Sequence, residues 1–477
     1  MRDSRTPQLV LLLIVAGLIC RESFVDAVAG AEPASRPNVL FLLSDDQRPD
    51  TIAALGNQHI ETPNLDMLAR RGVAFTRAVC ANPICTPSRA EILSGCSSFE
   101  NGVLDFGRKI NPELKLWPQA MRDAGYSSWY VGKWHNDGKP VQRGFVGTRG
   151  LFTGGGGKWW KDQADWKGFP VTGYRGWIFQ DDEGHKFPER GVGLTPDISA
   201  NFADAAIDVI QQERKQPFFL QVCFTAPHDP LFFPNDYEKK YSADTIPLPS
   251  NFLSEHPFDH GNFDGRDEKL LPWPRTPQIV RKNLAVYYAV ISHMDEQIGR
   301  IIDSLRETKQ LDNTIIIFSS DHGLAVGSHG LRGKQSMYEH TINVPLIVAG
   351  PSIPSGERRS AQVYLRDLYP TTCELTGIKI PKTVRAKSFA KAIADAEAKT
   401  HPHVFCYFRD KQRMVRDSRW KLIHYPAIDR WQLFDLDTDP HELKNLADDL
   451  KHAKVMERLH AVLRSEQKKV SDPVLAS

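Results

Sequence analysis

The strongest constraint on the fold of this chain is a repeated pattern, in which a short apolar run is followed at once by charged or histidine residues. Apolar runs of this kind are typical of parallel strands that are buried on both faces of a sheet. Four of them are spread along the chain: Val39 to Leu43, Ser127 to Val131, Phe218 to Phe224 and Thr314 to Phe318. They predict a parallel sheet at the centre of a large domain.

Helical periodicity separates these runs. One segment, opened by Thr195 and Pro196, places apolar residues on one face from Ile198 to Val209. A second segment does the same from Leu284 to Leu305. The alternation predicts an α/β fold, in which a large, mixed, mostly parallel sheet is sandwiched by helices.

Polar residues follow each apolar run directly. They are Asp45 and Asp46 after the first run, Lys133 and His135 after the second, His228 after the third, and Asp321 and His322 after the fourth. Taken singly, each of these residues is an ordinary loop or surface residue. In open α/β sheets, however, the binding site lies beyond the carboxyl ends of the strands. Their shared position therefore predicts one polar pocket.

The acidic members of this set predict a metal site. Asp45, Asp46 and Asp321 offer hard carboxylate oxygens, and His322 or its neighbourhood would complete the ligand shell. This donor set suits Ca²⁺, with Mg²⁺ as the alternative, better than a metal that prefers thiolates.

A lone thiol stands at the start of a predicted helix in the segment Cys85-Thr86-Pro87-Ser88-Arg89. Thr86 suits the N-cap of that helix, and Pro87 suits its first position. The backbone N–H groups that follow Cys85 would then favour an anion beside it. Outside the N-terminal leader, the cysteines show no paired spacing, so neither a disulfide framework nor a structural zinc site is predicted.

The pattern Cys-x-Pro-x-Arg, followed by Ala90 to Gly95, resembles the signature of the type I, formylglycine-dependent sulfatases of the alkaline-phosphatase superfamily. Further segments resemble successive blocks of that family: Asn38 to Asp50, Thr62 to Gly72, Gly132 to His135, Pro227-His228, Asp321 to Gly323 and Gly330 to Glu339. Asp321-His322 and Arg48-Pro49 are similar to the iduronate-2-sulfatase and choline-sulfatase branch. Asn136-Asp137 departs from the Leu-Gly of many relatives.

The resemblance implies that a formylglycine-generating maturation enzyme oxidises Cys85, so that the hydrated aldehyde is the nucleophile. The cation would bind residue 85 and a sulfate oxygen together. Lys133 and Lys334 would neutralise the remaining sulfate oxygens, while Arg89 would hold residue 85 in place.

The two remaining pocket histidines are expected to move protons. His228 would protonate the leaving alcohol, and His135 would assist breakdown of the covalent sulfate. Arg332 and either His401 or His403 are further candidates for contact with the substrate.

A loop over residues 144–190 is rich in glycine and in aromatic residues, namely Trp159, Trp160, Trp166, Tyr174 and Trp177. These aromatics are expected either to form a platform for a sugar or to pin a long loop to the body of the protein. The sequence leaves both alternatives open.

Residues 1–31 have the pattern of a secretory signal peptide, with Arg2 and Arg5 before the apolar run Leu9 to Ile19. That run is too short to cross a bilayer, so no stable membrane span is expected and the mature protein is predicted to be secreted or periplasmic. Residues 36–380 are the predicted sulfatase catalytic domain.

Residues 381–477 are predicted to form a smaller α+β subdomain with an antiparallel sheet. Its strands are expected at Val404 to Arg409, Arg413 to Arg416, Trp420 to Tyr425 and Trp431 to Leu436, before a closing helix over Leu450 to Gln467.

The net charge of +2 gives no support for a nucleic-acid partner or a membrane surface. The leading hypothesis is a sulfuric ester hydrolase that removes O-sulfate from a sulfated carbohydrate or another small sulfate ester. Two alternatives remain: a phosphonate or phosphate ester hydrolase of the same superfamily, and a catalytically silent glycan-binding homologue.

Overall fold

The computed structural model describes residues 36–475, and a ten-stranded sheet lies at its centre. The strands of this sheet are β1 (Asn38–Ser44), β2 (Gly72–Val79), β3 (Ser127–Lys133), β4 (Gly147–Thr153), β5 (Ile178–Gln180), β6 (Phe218–Cys223), β7 (Thr314–Ser320), β8 (Asn343–Ala349), β9 (Glu357–Arg359) and β10 (Val363–Tyr364). Their spatial order is β10-β2-β8-β7-β1-β6-β3-β4-β5, and β9 pairs with β2.

Most neighbouring strands of the sheet run parallel. At the carboxyl end of β1, Leu43 pairs with Cys223 of β6 and Ser44 pairs with Ser320 of β7. The antiparallel pairs are β2 with β8, β7 with β8, and β4 with β5. The predicted α/β fold with a mixed, mostly parallel sheet is therefore confirmed. Because β3, β6, β1 and β7 are parallel neighbours, the residues that follow them meet at one edge of the sheet.

Helices cover both faces of the sheet. They are α1 (Pro63–Arg71), α2 (Cys85–Ser94), α3 (Ser98–Asn101), α4 (Trp117–Asp123), α5 (Ile198–Gln211), α6 (Arg266–Lys269), α7 (Pro277–Glu307), α8 (Glu339–Ile342), α9 (Leu368–Leu375), α10 (Ala390–Ala394) and α11 (Ala453–Lys469). Since side chains alternate along a strand, Phe41 of β1 packs with Trp117 of α4 on one face. Leu42 packs with Phe202 of α5 and Met294 of α7 on the other.

A second sheet follows the large one in the chain. Its four strands are antiparallel neighbours in chain order: β11 (Val404–Phe408), β12 (Gln412–Arg416), β13 (Trp420–Tyr425) and β14 (Arg430–Asp435). The closing helix α11 contributes Leu459 to the core of this sheet, and the same core contains Ile84 and Tyr338 of the larger part. The predicted antiparallel subdomain is confirmed, and it packs directly behind the start of α2.

The described chain from Arg36 onward forms one compact unit, so the boundary near residue 380 stays a prediction. Between residues 36 and 475, no helix combines the length and the apolar character that a membrane crossing requires. The signal-peptide prediction for residues 1–31 lies outside the described residues.

Candidate active site

Cys85 lies at the floor of a cavity of about 410 Å³, at the first position of α2, where its side chain is buried. The prediction that Thr86 caps this helix is wrong. Ile84 occupies the N-cap, because the Ser88 N–H already donates to the Ile84 carbonyl at 3.0 Å. Pro87 is tolerated in the first turn, where a backbone N–H has no intrahelical partner to lose.

Asp45 and Asp46 reach the floor from the end of β1, and both are fully buried. Consecutive residues of a regular strand would face opposite sides of the sheet. Asp46, however, lies two residues beyond the end of β1 and adopts a left-handed conformation with φ of 67°, so the alternation of a strand does not continue there. The Asp46 N–H donates to Asp321 Oδ1 at 3.3 Å, and the Asp46 carbonyl accepts from the Tyr287 hydroxyl at 2.5 Å. These bonds hold the two adjacent carboxylates in one pocket.

Three buried cations face the three carboxylates. Lys133 Nζ contacts Asp45 Oδ2, and Lys334 Nζ donates to the two Asp46 oxygens at 2.8 and 3.0 Å. Arg89 Nε donates to Asp321 Oδ2 at 2.9 Å. These pairs are needed because an isolated charge is very costly to bury.

Arg89 also retains hydrogen-bonding capacity. Among residues 36–475, its buried Nη1 and Nη2 atoms find no hydrogen-bond acceptor, although Nη2 lies 3.7 Å from Asp45 Oδ1. A buried guanidinium with unused donors is suited to an additional anionic oxygen in the pocket.

The positive groups around residue 85 favour an anion at that position. Lys334 Nζ lies 3.6 Å from Cys85 Sγ, and His322 Nε2 lies 3.3 Å from it. Burial alone would raise the pKa of the Cys85 thiol, but Lys133, Lys334 and His322 together outweigh it and hold that pKa well below its usual range. The floor of the cavity therefore stabilises negative charge.

Donor atoms of Asp45, Asp46, Cys85 and His322 all lie within 4.8 Å of one another. Buried carboxylates with one imidazole fit a hard divalent cation, so the residues present are compatible with Ca²⁺ or Mg²⁺. Asp321 adjoins this group, because its Oδ1 lies 3.6 Å from His322 Nε2. Its Oδ1 accepts from the backbone N–H groups of Asp46 and His322, at 3.3 and 3.0 Å, and its Oδ2 accepts from Arg89.

His135 follows β3 and His228 follows β6, and both side chains line the cavity. Burial lowers the pKa of His135, whose Nδ1 has no hydrogen-bond partner among residues 36–475. Burial also acts against protonation of His228, but Asp46, Asp229 and Asp45 outweigh it and raise the pKa of His228. The pocket therefore holds one imidazole that favours the neutral form and one that favours the protonated form.

The walls of the cavity include residues that sequence reasoning missed. They are Phe106, Asn262, Gly265, Arg266, Asp267, Gln335 and Arg409. Most lie in irregular segments, where no periodicity or motif marks them. Of the predicted aromatic loop, Tyr174 and Trp177 line the cavity, and the Tyr174 hydroxyl donates to Asp45 Oδ2 at 2.7 Å.

Among the described residues, Arg332, His401 and His403 do not line the cavity that contains Cys85, so their contact with the substrate stays a prediction. His401 Nε2 lies 2.8 Å from Asp367 Oδ2, and His403 Nε2 lies 2.8 Å from Glu466 Oε1. Each histidine therefore already has a carboxylate partner within the fold.

The sequence from residue 37 to residue 378 matches the family model described as sulfatase. The chain belongs to the sulfatase family. This membership makes it a sulfuric ester hydrolase, as the sequence predicts. Residues 327–469 also match the model described as N-sulphoglucosamine sulphohydrolase, C-terminal. The sulfatase shares 27% identity with an N-acetylglucosamine-6-O-sulfatase of Bacteroides thetaiotaomicron, over 92% of this chain and 88% of that protein.

Solved structures support the fold. One, solved in complex with its substrate D-glucosamine-2-N,6-O-disulfate, has a TM-score of 0.76 at 24% identity and covers 92% of this sulfatase and 99% of that chain. Another, the phosphonate monoester hydrolase of Agrobacterium radiobacter, has a TM-score of 0.77 at 22% identity. It covers 92% of this sulfatase and 97% of that chain. At these identities the likeness concerns the fold alone.

Proposed function

We propose that this sulfatase removes O-sulfate from a sulfated carbohydrate, with Cys85 matured to formylglycine and a Ca²⁺ ion, or alternatively Mg²⁺, bound beside it. The observation that carries the proposal is the position of Cys85, at the buried N-terminus of α2 and close to Lys334 and His322. A residue held there can receive an anionic ester whose charge the surrounding cations offset.

Asp45, Asp46, Asp321 and His322 would hold the cation, together with residue 85. When bound, the cation would polarise a sulfate oxygen and favour loss of a proton from the hydrated aldehyde. Lys133 and Lys334 would offset the charge of the other sulfate oxygens, since both ammonium groups are buried and already face the pocket carboxylates.

The hydrated aldehyde supplies two hydroxyl groups. One would lose its proton to a pocket carboxylate and attack sulfur, while the bond between sulfur and the alcohol oxygen breaks. The other would lose its proton as the bond from residue 85 to the sulfate oxygen breaks, which re-forms the aldehyde, and water would then hydrate that aldehyde again. His228 would donate a proton to the alcohol oxygen as its bond to sulfur breaks, which fits an imidazole placed 3.8 Å from Asp46. His135 would accept the proton from the second hydroxyl of residue 85 as sulfate leaves. Arg89 would keep residue 85 in position through its ion pair with Asp321.

The cavity wall supports a sugar as the group that carries the sulfate. Asn262, Gln335 and Asp267 place amide and carboxylate groups at the cavity, and such groups pair well with sugar hydroxyls. A relative named N-acetylglucosamine-6-O-sulfatase supports a sulfated sugar as the substrate class.

Export to the periplasm or medium is also proposed, on the leader pattern of residues 1–31. The formylglycine-generating enzyme would be the partner that matures the protein before it acts.

A second candidate is a phosphonate or phosphate ester hydrolase, because a phosphonate monoester hydrolase shares the fold. The test compares a sugar sulfate with the phosphate of the same sugar, using matured protein and its Cys85→Ala variant. Sulfatase action predicts a much higher kcat/KM for the sulfate and loss of turnover in the variant. Preference for the phosphate would favour the second candidate, whereas glycan binding without turnover would favour a silent binding protein.

A further inference from the structure

Phe106 is an exposed aromatic residue at the wall of the active-site cavity. Its side chain is 43% exposed, whereas the cavity floor is buried. The Phe106 ring centroid lies 5.6 Å from that of His135, at an interplanar angle of 32°. A single exposed phenylalanine is ordinary on a protein surface, so exposure alone indicates nothing. Its position beside His135 is what relates it to the reaction.

The loop that carries Phe106 is held from both ends. The Leu104 carbonyl accepts from Asn82 Nδ2 at 3.2 Å, and the Ile110 N–H donates to Asp137 Oδ1 at 3.0 Å. These bonds tie the loop to segments that flank Cys85 and His135 in sequence. The ring of Phe106 is therefore presented on a fixed backbone, at low entropic cost to a ligand.

The residue before Phe106 is clamped by the C-terminal sheet. Arg409 pairs with Asp105 through two contacts, Nε to Oδ2 at 2.8 Å and Nη2 to Oδ1 at 3.1 Å. This fork geometry fixes orientation as well as distance. The ion pair is half-buried, so its value lies in positioning rather than in overall stability.

The backbone of Arg409 adopts a conformation that is more common for glycine. It follows β11 with φ of 45°, in the left-handed region, and its carbonyl accepts from Arg413 Nη1 at 2.6 Å. Arg413 is itself fixed by Asp472, with contacts of 2.5 and 2.7 Å. A bulky residue kept in this region costs free energy, and such strain clusters at functional sites. An arginine stands at a position where glycine would have no strain, which fits a task for its side chain.

We propose that Phe106 is a specificity-determining residue, whose ring packs against the face of the sugar that bears the sulfate, and that the Asp105–Arg409 pair is the device that positions it. The inference rests on the proposed function and names the recognition element for the sugar. The carbon-bound hydrogens of a sugar ring form an apolar face that aromatic rings bind by displacing water. Asn262 and Gln335 also line the cavity, where Asn262 Nδ2 donates to Gln335 Oε1 at 2.5 Å, and their remaining amide groups would serve the hydroxyl groups.

The test uses matured protein and a panel of monosulfated hexoses and N-acetylhexosamines, of which the best substrate is taken forward. Phe106→Ala should raise KM for that sugar by about tenfold, the size of one aromatic contact, with kcat within about twofold. Inorganic sulfate, a competitive ligand without a ring, should keep its inhibition constant. Phe106→Trp should restore KM. Phe169→Ala is the matched control, because Phe169 is 48% exposed and does not line the cavity.

The positioning role has its own readout. Arg409→Ala should raise KM for the sugar and leave the sulfate inhibition constant unchanged. In the double variant with Phe106→Ala, the loss should equal that of Phe106→Ala alone, because Arg409 acts through that ring. Additive losses, or equal losses for the sugar and for inorganic sulfate, would overturn the proposal.

Binding to an unmatured Cys85→Ser variant separates this inference from the proposed function. Suppose that no sugar sulfate is hydrolysed but the panel binds this variant. A tenfold weaker affinity for the sugar after Phe106→Ala would then support the role of Phe106, although the proposed hydrolysis fails. If hydrolysis proceeds and Phe106→Ala leaves KM unchanged, the proposed role of Phe106 is refuted while the proposed function stands. If no sugar of the panel binds the variant, the proposed role of Phe106 is also refuted.

Discussion

Replacing Lys334 by methionine should separate a catalytic charge from a structural one. Lys334 is 3% exposed and donates to both oxygens of Asp46, at 2.8 and 3.0 Å, while lying 3.6 Å from Cys85 Sγ. Methionine keeps most of the side-chain volume and removes the charge. Loss of one electrostatic partner of a developing anion should lower kcat by about 10²- to 10³-fold.

The cost to stability follows from the same contacts. Removing one member of a buried ion pair costs about 3–5 kcal/mol. Unfolding entropy of about 2.1 cal/mol/K per residue, over roughly 440 described residues, amounts to about 0.9 kcal/mol/K. Lys334→Met should therefore lower Tm by about 3–5 °C.

Lys421 provides the matched control. It is fully buried in the second sheet and contacts Glu442 Oε1 at 2.6 Å and Glu339 Oε1 at 2.9 Å, away from the cavity that contains Cys85. Lys421→Met should lower Tm by a similar amount and leave kcat within about twofold, since the same mechanism of destabilisation applies. Steady-state kinetics and calorimetry of both variants decide the matter. The reasoning is refuted if Lys334→Met loses Tm but keeps kcat within about threefold of the wild type.

Three further outcomes are expected. His228→Asn should slow hydrolysis of a sugar sulfate by about 10²-fold or more and that of an activated aryl sulfate far less, because a good leaving group needs no proton; equal losses in kcat would contradict the role. Burial lowers the pKa of His256 to about 4, and those of His260 and His329 to about 3. The folded state therefore binds fewer protons than the unfolded state, and stability should fall as pH drops from about 6.5 toward 4. Thermal melts at these pH values test this, and His260→Phe should flatten the slope. Dialysis against a chelator should abolish turnover until Ca²⁺ or Mg²⁺ is returned, whereas full retained activity would argue against a cation site.

The sequence was informative wherever one local pattern controls position. The apolar run Val39 to Leu43 lies within β1, and the run Thr314 to Phe318 lies within β7. Since these strands are parallel neighbours, Asp45 and Asp321 meet although they are far apart in the chain. Candidate site residues at the ends of strands can therefore be predicted once the strands are recognised.

Other parts of the site depend on contacts that no local pattern reveals. Phe106 and Arg409 reach the same cavity through an ion pair with Asp105 that joins segments about 300 residues apart. The predicted N-cap of α2 is wrong because Thr86 has a suitable side chain, whereas the backbone closes the first turn two residues earlier, at Ile84. In each case tertiary packing decides between local options that the sequence leaves nearly equal.

The most direct test of the account is the chemical state of residue 85 in protein produced by a host that contains a formylglycine-generating enzyme. Peptide mass spectrometry across residues 82–95 distinguishes an aldehyde from a thiol at that position. The account predicts formylglycine there, in a fraction that parallels the rate of sulfate release between preparations. An intact Cys85 thiol in protein that still hydrolyses sulfate esters, beside a matured control sulfatase, would contradict it.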